Sequence, residues 1–203
     1  MLTGLALHRE IHMIDRRMVV LGLGASLSGT MLASRAAHAD NAVSKTTAYR
    51  FTFPVPSGEP IRLADFTGKP VLVVNTASQC GYTPQYTGLQ QLWSEFHERG
   101  LTIIAVPSND FNQEPGIGGD IAELANKEYG VTFPMTSKAV VTGSNAHPFY
   151  RWAAEARPKE TPRWNFHKYL VGRDGYIADV FASSVEPTDT RVKTAVARML
   201  AAG

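Results

Sequence analysis

The stretch Val71-Leu72-Val73-Val74-Asn75-Thr76-Ala77-Ser78-Gln79-Cys80-Gly81-Tyr82-Thr83-Pro84 decides the fold. It opens with four aliphatic residues, the pattern of a strand buried on both faces. Small and polar residues follow, then the only cysteine in the 203-residue chain. Pro84 suits the first turn of a helix, where its missing N–H costs nothing. Cys80 is therefore expected where a central strand hands over to a helix. The positive end of that helix favours a thiolate over a thiol. A free cysteine is most often buried and inert, but this setting argues for a reactive one.

Outward from this stretch the chain alternates strand and helix. Before it, residues 49–55 and 61–63 read as two short strands around the turn Ser57-Gly58-Glu59-Pro60. After it, Tyr86, Leu89, Leu92, Trp93 and Phe96 recur at helical spacing over residues 83–98, and Arg99-Gly100 closes that helix. Residues 101–106 form a second buried strand. It runs into Pro107-Ser108-Asn109-Asp110-Phe111-Asn112-Gln113-Glu114-Pro115-Gly116, a loop of turn formers. Residues 120–129 read as a helix, entered from Gly118-Gly119, which lacks the lysine and hydroxyl of a phosphate loop. An extended segment at 131–135, a helix at 146–155 and a polar loop at 157–163 come next. A strand is expected from Trp164 through Val171, a turn at Arg173-Asp174-Gly175-Tyr176, a strand at 177–181 and a closing helix at 187–202. The first half is a right-handed βαβ crossover and the second a hairpin with a covering helix. Together they predict an α/β fold, a thioredoxin-like three-layer sandwich with a mixed central sheet. Open sheets of this kind place their sites at the carboxyl ends of strands, where Cys80 falls.

The amino terminus reads differently. Residues 1–39 carry Arg9, Arg16, Arg17 and Arg35 against Glu10 and Asp15, leaving 16 basic and 16 acidic residues from Asp40 onward. A basic start, a moderately apolar middle and the ending Ala37-His38-Ala39 describe an export signal, cleaved after Ala39. The Arg16-Arg17 pair before Val19-Val20 points to the twin-arginine route, although Asp15 stands where that pattern prefers Ser or Thr. Met13 is an alternative start. The expected location is the periplasm, with residues 40–46 a linker and residues 47–203 one domain. The run from Met18 to Ser34 is broken by Gly, Ser and Thr, unlike the ~20 apolar residues of a membrane span. The neutral remainder, with no basic stripe of interleaved aromatics, argues against nucleic acid. A lone cysteine excludes an internal disulfide, a multi-cysteine metal site and a Cys-x-x-Cys pair.

Several ordered motifs resemble the glutathione peroxidases. They are Asn75 to Tyr86, Asn109 to Gly116, Tyr129-Gly130-Val131-Thr132-Phe133-Pro134-Met135, Asn145-Ala146-His147-Pro148, and Trp164-Asn165-Phe166 through Gly172-Arg173-Asp174-Gly175. The resemblance spans roughly residues 47 to 200. It implies a tetrad of Cys80, Gln113, Trp164 and Asn165. A thiol attacks peroxide as the thiolate, a minor form at neutral pH for a cysteine of pKa ~8.5. The Gln113 amide, the Trp164 indole and Asn165 would donate hydrogen bonds to the sulfur or to the developing alkoxide. Asn75 and Ser78 are expected to satisfy backbone groups around the Cys80 turn, and His167 is a candidate proton shuttle.

The chain also departs from the family pattern. The loop ending at Gln113 is one residue shorter, Ser108 stands where many members have cysteine, and Leu124-Ala125 replaces the resolving cysteine of thioredoxin-dependent members. The resemblance therefore implies a one-cysteine cycle, with no bound cofactor or metal. Hydrogen peroxide or an organic hydroperoxide oxidises Cys80 to a sulfenic acid, and glutathione or another external thiol regenerates it. The short 157–163 loop resembles that of members lacking the tetramer-forming insert, which implies a monomer. The alternative is a non-catalytic peroxide sensor or binding module on the same fold. A peroxiredoxin is disfavoured because no Pro-x-x-x-Thr-x-x-Cys pattern precedes Cys80.

Overall fold

The computed structural model describes residues 46–201. The export signal, the alternative start and nearly all of the linker lie outside the described residues.

The run from Val71 to Thr76 forms β3, and every residue of it is buried. It is one of the two inner strands of a four-stranded sheet with β4 (Thr102–Pro107), β5 (Lys168–Val171) and β6 (Ile177–Phe181), in the order β4-β3-β5-β6. β3 and β4 are parallel, with Val71 opposite Thr102 and Thr76 opposite Pro107. The βαβ crossover through α1 (Gln85–Phe96) imposes that direction. β5 runs antiparallel to both β3 and β6, so the sheet is mixed. A separate two-stranded ribbon pairs β1 (Thr52–Phe53) with β2 (Ile61–Arg62).

The strand period of two divides the core into two layers. Leu72, Val74, Ile103, Ala105 and Leu170 pack with Leu89, Leu92 and Phe96 of α1 and with Val192 and Val196 of α4 (Thr190–Ala201). Val71, Val73, Ile104, Tyr169 and Val171 pack with Phe149, Tyr150 and Trp152 of α3 (Pro148–Ala156). Each fully buried Val, Leu or Phe contributes roughly 1.5–3 kcal/mol, so alternation on the central strands fixes both faces. α2 (Asp120–Tyr129) adds Ala125 to the first layer. Cys80 belongs to that same layer.

Three expected strands are shorter than the sequence suggests. Residues 48–50 form a 3-10 turn before β1, and Leu63–Phe66 form another after β2. Trp164, Asn165 and Phe166 precede β5 in a turn, because Phe166 adopts a left-handed φ of 64° that no extended strand accommodates. The β5–β6 turn requires its glycine. Gly175 has φ 80°, and a Cβ there would lie 2.7 Å from the Tyr49 ring.

Candidate active site

After β3 the chain turns sharply, and the Thr83 side chain holds the turn. Its hydroxyl donates to the Ala77 carbonyl at 2.9 Å and accepts the Cys80 N–H at 3.0 Å. The Thr83 N–H donates to the Cys80 carbonyl at 2.9 Å. Pro84 follows in right-handed helical conformation at the cap of α1. Cys80 is thereby fixed with its sulfur accepting the Tyr82 N–H at 3.3 Å. The sulfur sits at the edge of the core, and Cys80 is 7% exposed.

Gln113 comes from the loop after β4. Asn112 turns that loop with a left-handed φ of 57°, a conformation asparagine tolerates. Its N–H bonds the Asn109 carbonyl at 2.9 Å. The loop is tied to the cysteine turn because the Gln79 N–H donates to the Gln113 carbonyl at 2.9 Å. Asn165 Nδ2 donates to Gln113 Oε1 at 3.0 Å. The short loop therefore does bring Gln113 to Asn165. With its oxygen engaged, the Gln113 NH2 keeps its donors free of partners among the described residues. Asn165 is itself fully buried, and its Oδ1 has no partner among the described residues.

Trp164 is presented on the surface, 41% exposed, with its ring tilted against Phe111 at 5.4 Å between centroids. Asn75 holds this segment. Its Nδ2 donates to the Trp164 carbonyl at 3.1 Å and its Oδ1 accepts the His167 N–H at 3.1 Å. Asn75 thus satisfies backbone groups as expected. Among the described residues, neither the Gln113 amide nor the Trp164 indole hydrogen-bonds the sulfur, whose donor is the Tyr82 N–H.

Residues 48–154 match the family model described as glutathione peroxidase. The chain belongs to the glutathione peroxidase family. It is 42% identical to a hydroperoxy fatty acid reductase of Synechocystis over 158 residues, 73% of this chain and 94% of the relative. It is 41% identical to a glutathione peroxidase of Lactococcus lactis over 145 residues, 70% of this chain and 92% of the relative. The crystal structure of Trgpx in apo form superposes with a TM-score of 0.63 at 32% identity, covering 77% of this chain and 97% of that one. The fold is thioredoxin-like and the protein is a peroxidase, an oxidoreductase. Among the described residues no cluster of three or more His, Cys, Asp or Glu could hold a metal, and no helix is long and apolar enough to cross a membrane.

Two features of this glutathione peroxidase were not expected. His167, the candidate proton shuttle, is buried, 5% exposed. Burial, then the neighbouring Lys168, lower its pKa to about 4, while the Glu160 carbonyl pulls weakly the other way. The ring is neutral near pH 7, which removes it as an imidazolium proton carrier. The second is Glu114, fully buried in the loop next to Gln113. Its carboxylate accepts the Ser78 N–H at 2.8 Å, the Ser78 hydroxyl at 2.9 Å and the Gly116 N–H at 3.2 Å. Ser78 thus serves Glu114 rather than the turn's backbone. Nothing in the sequence distinguishes Glu114 from a solvated loop residue, since its partner lies 36 positions earlier.

Glu114→Gln replaces an oxygen acceptor with an NH2 facing an N–H. It should cost about 2 kcal/mol, as hydrogen bonds to charged groups contribute ~1.5–3. Thermal denaturation should show the midpoint lowered by several degrees. An unchanged midpoint would show that the carboxylate does not clamp the Cys80 turn.

Proposed function

We propose that this peroxidase reduces hydrogen peroxide and organic hydroperoxides through Cys80, with an external thiol as reductant. The observation that carries the reading is the lone sulfur, held at a strand-to-helix turn with the Tyr82 N–H on it at 3.3 Å. The Cys80 thiolate attacks one peroxide oxygen and the O–O bond breaks; the sulfenic acid forms and the other oxygen leaves as hydroxide or alkoxide, which takes from solvent the proton the thiol had released and becomes water or alcohol. The Gln113 NH2 and the Trp164 indole N–H, both without partners among the described residues, are the donors for the oxygen that gains charge. Asn165 orients Gln113 through the 3.0 Å bond to Oε1. One N–H of its Nδ2 is spent on the Gln113 oxygen, which makes Asn165 a positioning residue for that amide.

The chain has no second cysteine to close an internal disulfide. One external thiol condenses with the sulfenic acid and releases water. A second thiol attacks the mixed disulfide, returning Cys80 and leaving as an oxidised dimer with the first. Glutathione is the reductant the family name suggests. The alternative of a non-catalytic sensor is disfavoured by relatives whose names are peroxidases and reductases.

Mass analysis of the intact protein tests the cycle. Peroxide should add one oxygen at Cys80, a first equivalent of glutathione should convert it to a mixed disulfide, and excess should restore the thiol. Peroxide consumption with thiol present should continue over many turnovers. A halt after one equivalent would favour the sensor.

A further inference from the structure

Lys168 opens β5, opposite Val74 on β3 and Phe181 on β6, and it is fully buried. The residues that follow it on the strand, Tyr169, Leu170 and Val171, are all core residues. Among the described residues no carboxylate forms an ion pair with it. A buried amine without a counterion costs folding free energy that an aliphatic side chain at the same position would not. The chemistry at Cys80 makes no direct use of it. Its hydrogen bonds show what it holds.

Both lead to the proposed site. Lys168 Nζ donates to the Phe166 carbonyl at 2.7 Å and to Gln85 Oε1 at 2.8 Å. The Phe166 carbonyl and the His167 N–H are the two sides of one peptide group. Lys168 holds the carbonyl, and Asn75 Oδ1 accepts the N–H at 3.1 Å. The Phe166 N–H is held too, by the Asn75 carbonyl at 2.6 Å. These bonds secure a residue with a left-handed φ of 64°, a conformation that bulky side chains avoid. Trp164 and Asn165 immediately precede it. The aim of the indole, and of the amide that orients Gln113, is therefore set by this turn. At the other end of the bridge, Gln85 opens α1 just after the Cys80 turn. Its N–H donates to the Tyr82 carbonyl at 2.9 Å, and the Tyr82 N–H is the one on the sulfur. Its Nε2 donates to the Ser183 carbonyl at 2.7 Å, which leaves its oxygen facing Lys168. One amine thus joins the turn that bears the donors to the turn that bears the nucleophile.

We propose that Lys168 is a positioning residue of the peroxidase reaction, holding the Trp164–Asn165 turn against the start of α1 so that the donors reach the peroxide oxygen that gains charge. The inference rests on the peroxidase reading above and adds to it a residue that hydrogen-bonds neither the sulfur nor its donors. Lys168 acts through the Phe166 carbonyl and through Gln85. A donor misplaced by about 1 Å can cost ~100-fold in rate, so a bridge of this kind is felt in the oxidation step.

Two reactions of reduced Cys80 separate aim from ionisation and from general damage. Hydrogen peroxide needs the thiolate and donors for the departing oxygen. Dithiodipyridine, an aromatic disulfide, needs the thiolate alone, since exchange with it releases a thiopyridone and no oxygen. Stopped-flow measurements on the full chain give a second-order rate constant for each. Any change in the thiolate fraction cancels in their ratio. In folded Lys168→Met the peroxide constant should fall about 10–100-fold while the disulfide constant stays within about 3-fold. A general loosening of the fold would change the disulfide reaction as well. Should Lys168→Met not fold, Gln85→Met cuts the bridge at its other end and leaves the amine on the Phe166 carbonyl. Its peroxide-to-disulfide ratio should fall about 3–10-fold. An unchanged ratio in the folded variant, whether both constants hold or both fall together, would overturn the proposal while peroxide reduction by the native chain stood. Absence of any reaction between the unmodified protein and hydrogen peroxide would instead bring down the peroxidase reading beneath it.

Discussion

Cys80→Ser should reduce peroxide turnover to the uncatalysed background while leaving the fold in place. The exchange replaces the thiol, the source of the attacking thiolate, with a far less acidic and less nucleophilic hydroxyl. The turn does not depend on the sulfur. The Cys80 N–H is held by the Thr83 hydroxyl at 3.0 Å, and the Cys80 carbonyl by the Thr83 N–H at 2.9 Å. Both are backbone groups of Cys80 and survive the change. A serine oxygen would also accept the Tyr82 N–H that the sulfur accepts at 3.3 Å. The stability change should stay within about 1 kcal/mol, measurable by chemical denaturation alongside the coupled peroxidase assay. No other cysteine exists to substitute for it. Turnover retained by the serine protein would place the reacting group elsewhere and end the nucleophile assignment.

What the sequence made legible follows from where each residue finds its partners. Val71 to Thr76 announces a central strand because burial on both faces leaves no polar position until Asn75. Cys80 at the strand-to-helix turn, and the layer formed by Leu89, Leu92 and Phe96, follow from local periodicity. Asn75 was readable as a backbone clamp, though not that its partners would be Trp164 and His167. Trp164-Asn165-Phe166 reads as the start of a strand because aromatic residues favour strands. The left-handed φ at Phe166 overrides that preference, and the clamp from Asn75 is a tertiary contact no local window contains. The Gln113–Asn165 bond joins residues 52 positions apart. The family resemblance suggested both as donors. Only the geometry shows one amide spending an N–H to orient the other. Glu114 was opaque for the same reason, a buried carboxylate whose hydrogen bonds come largely from Ser78. Local pattern thus specified the scaffold, while the contacts that aim the side chains are long-range.

The stability of the protein should rise between pH 7 and pH 9, and Lys168→Met should flatten that rise. Lys168 is 0% exposed on β5. Its Nζ donates to Gln85 Oε1 at 2.8 Å and to the Phe166 carbonyl at 2.7 Å. It forms no salt bridge among the described residues. Burial lowers its pKa from 10.5 to about 7, opposed only by the more distant Glu186. The unfolded chain therefore holds this proton up to about pH 10.5 and the folded chain only to about pH 7. Between those values unfolding takes up a proton, so stability increases with pH. Below pH 7 both states are protonated and the full penalty of the buried charge applies. The shift corresponds to about 5 kcal/mol across the whole window and about 2 kcal/mol between pH 7 and 9. Buried Tyr86 has its pKa raised by burial, so its opposing effect begins only above pH 10. His167 adds a second rise lower down, because its pKa falls from 6.5 to about 4 and the protein loses stability as pH drops through that interval. Methionine keeps the apolar stem but leaves Gln85 Oε1 and the Phe166 carbonyl without a donor, so its absolute stability need not exceed that of the native chain. The slope is the diagnostic. Urea midpoints measured at pH 7, 8 and 9 should climb in the native protein and stay level in the variant. Equal slopes would mean that the amine keeps its ordinary affinity for the proton despite its burial.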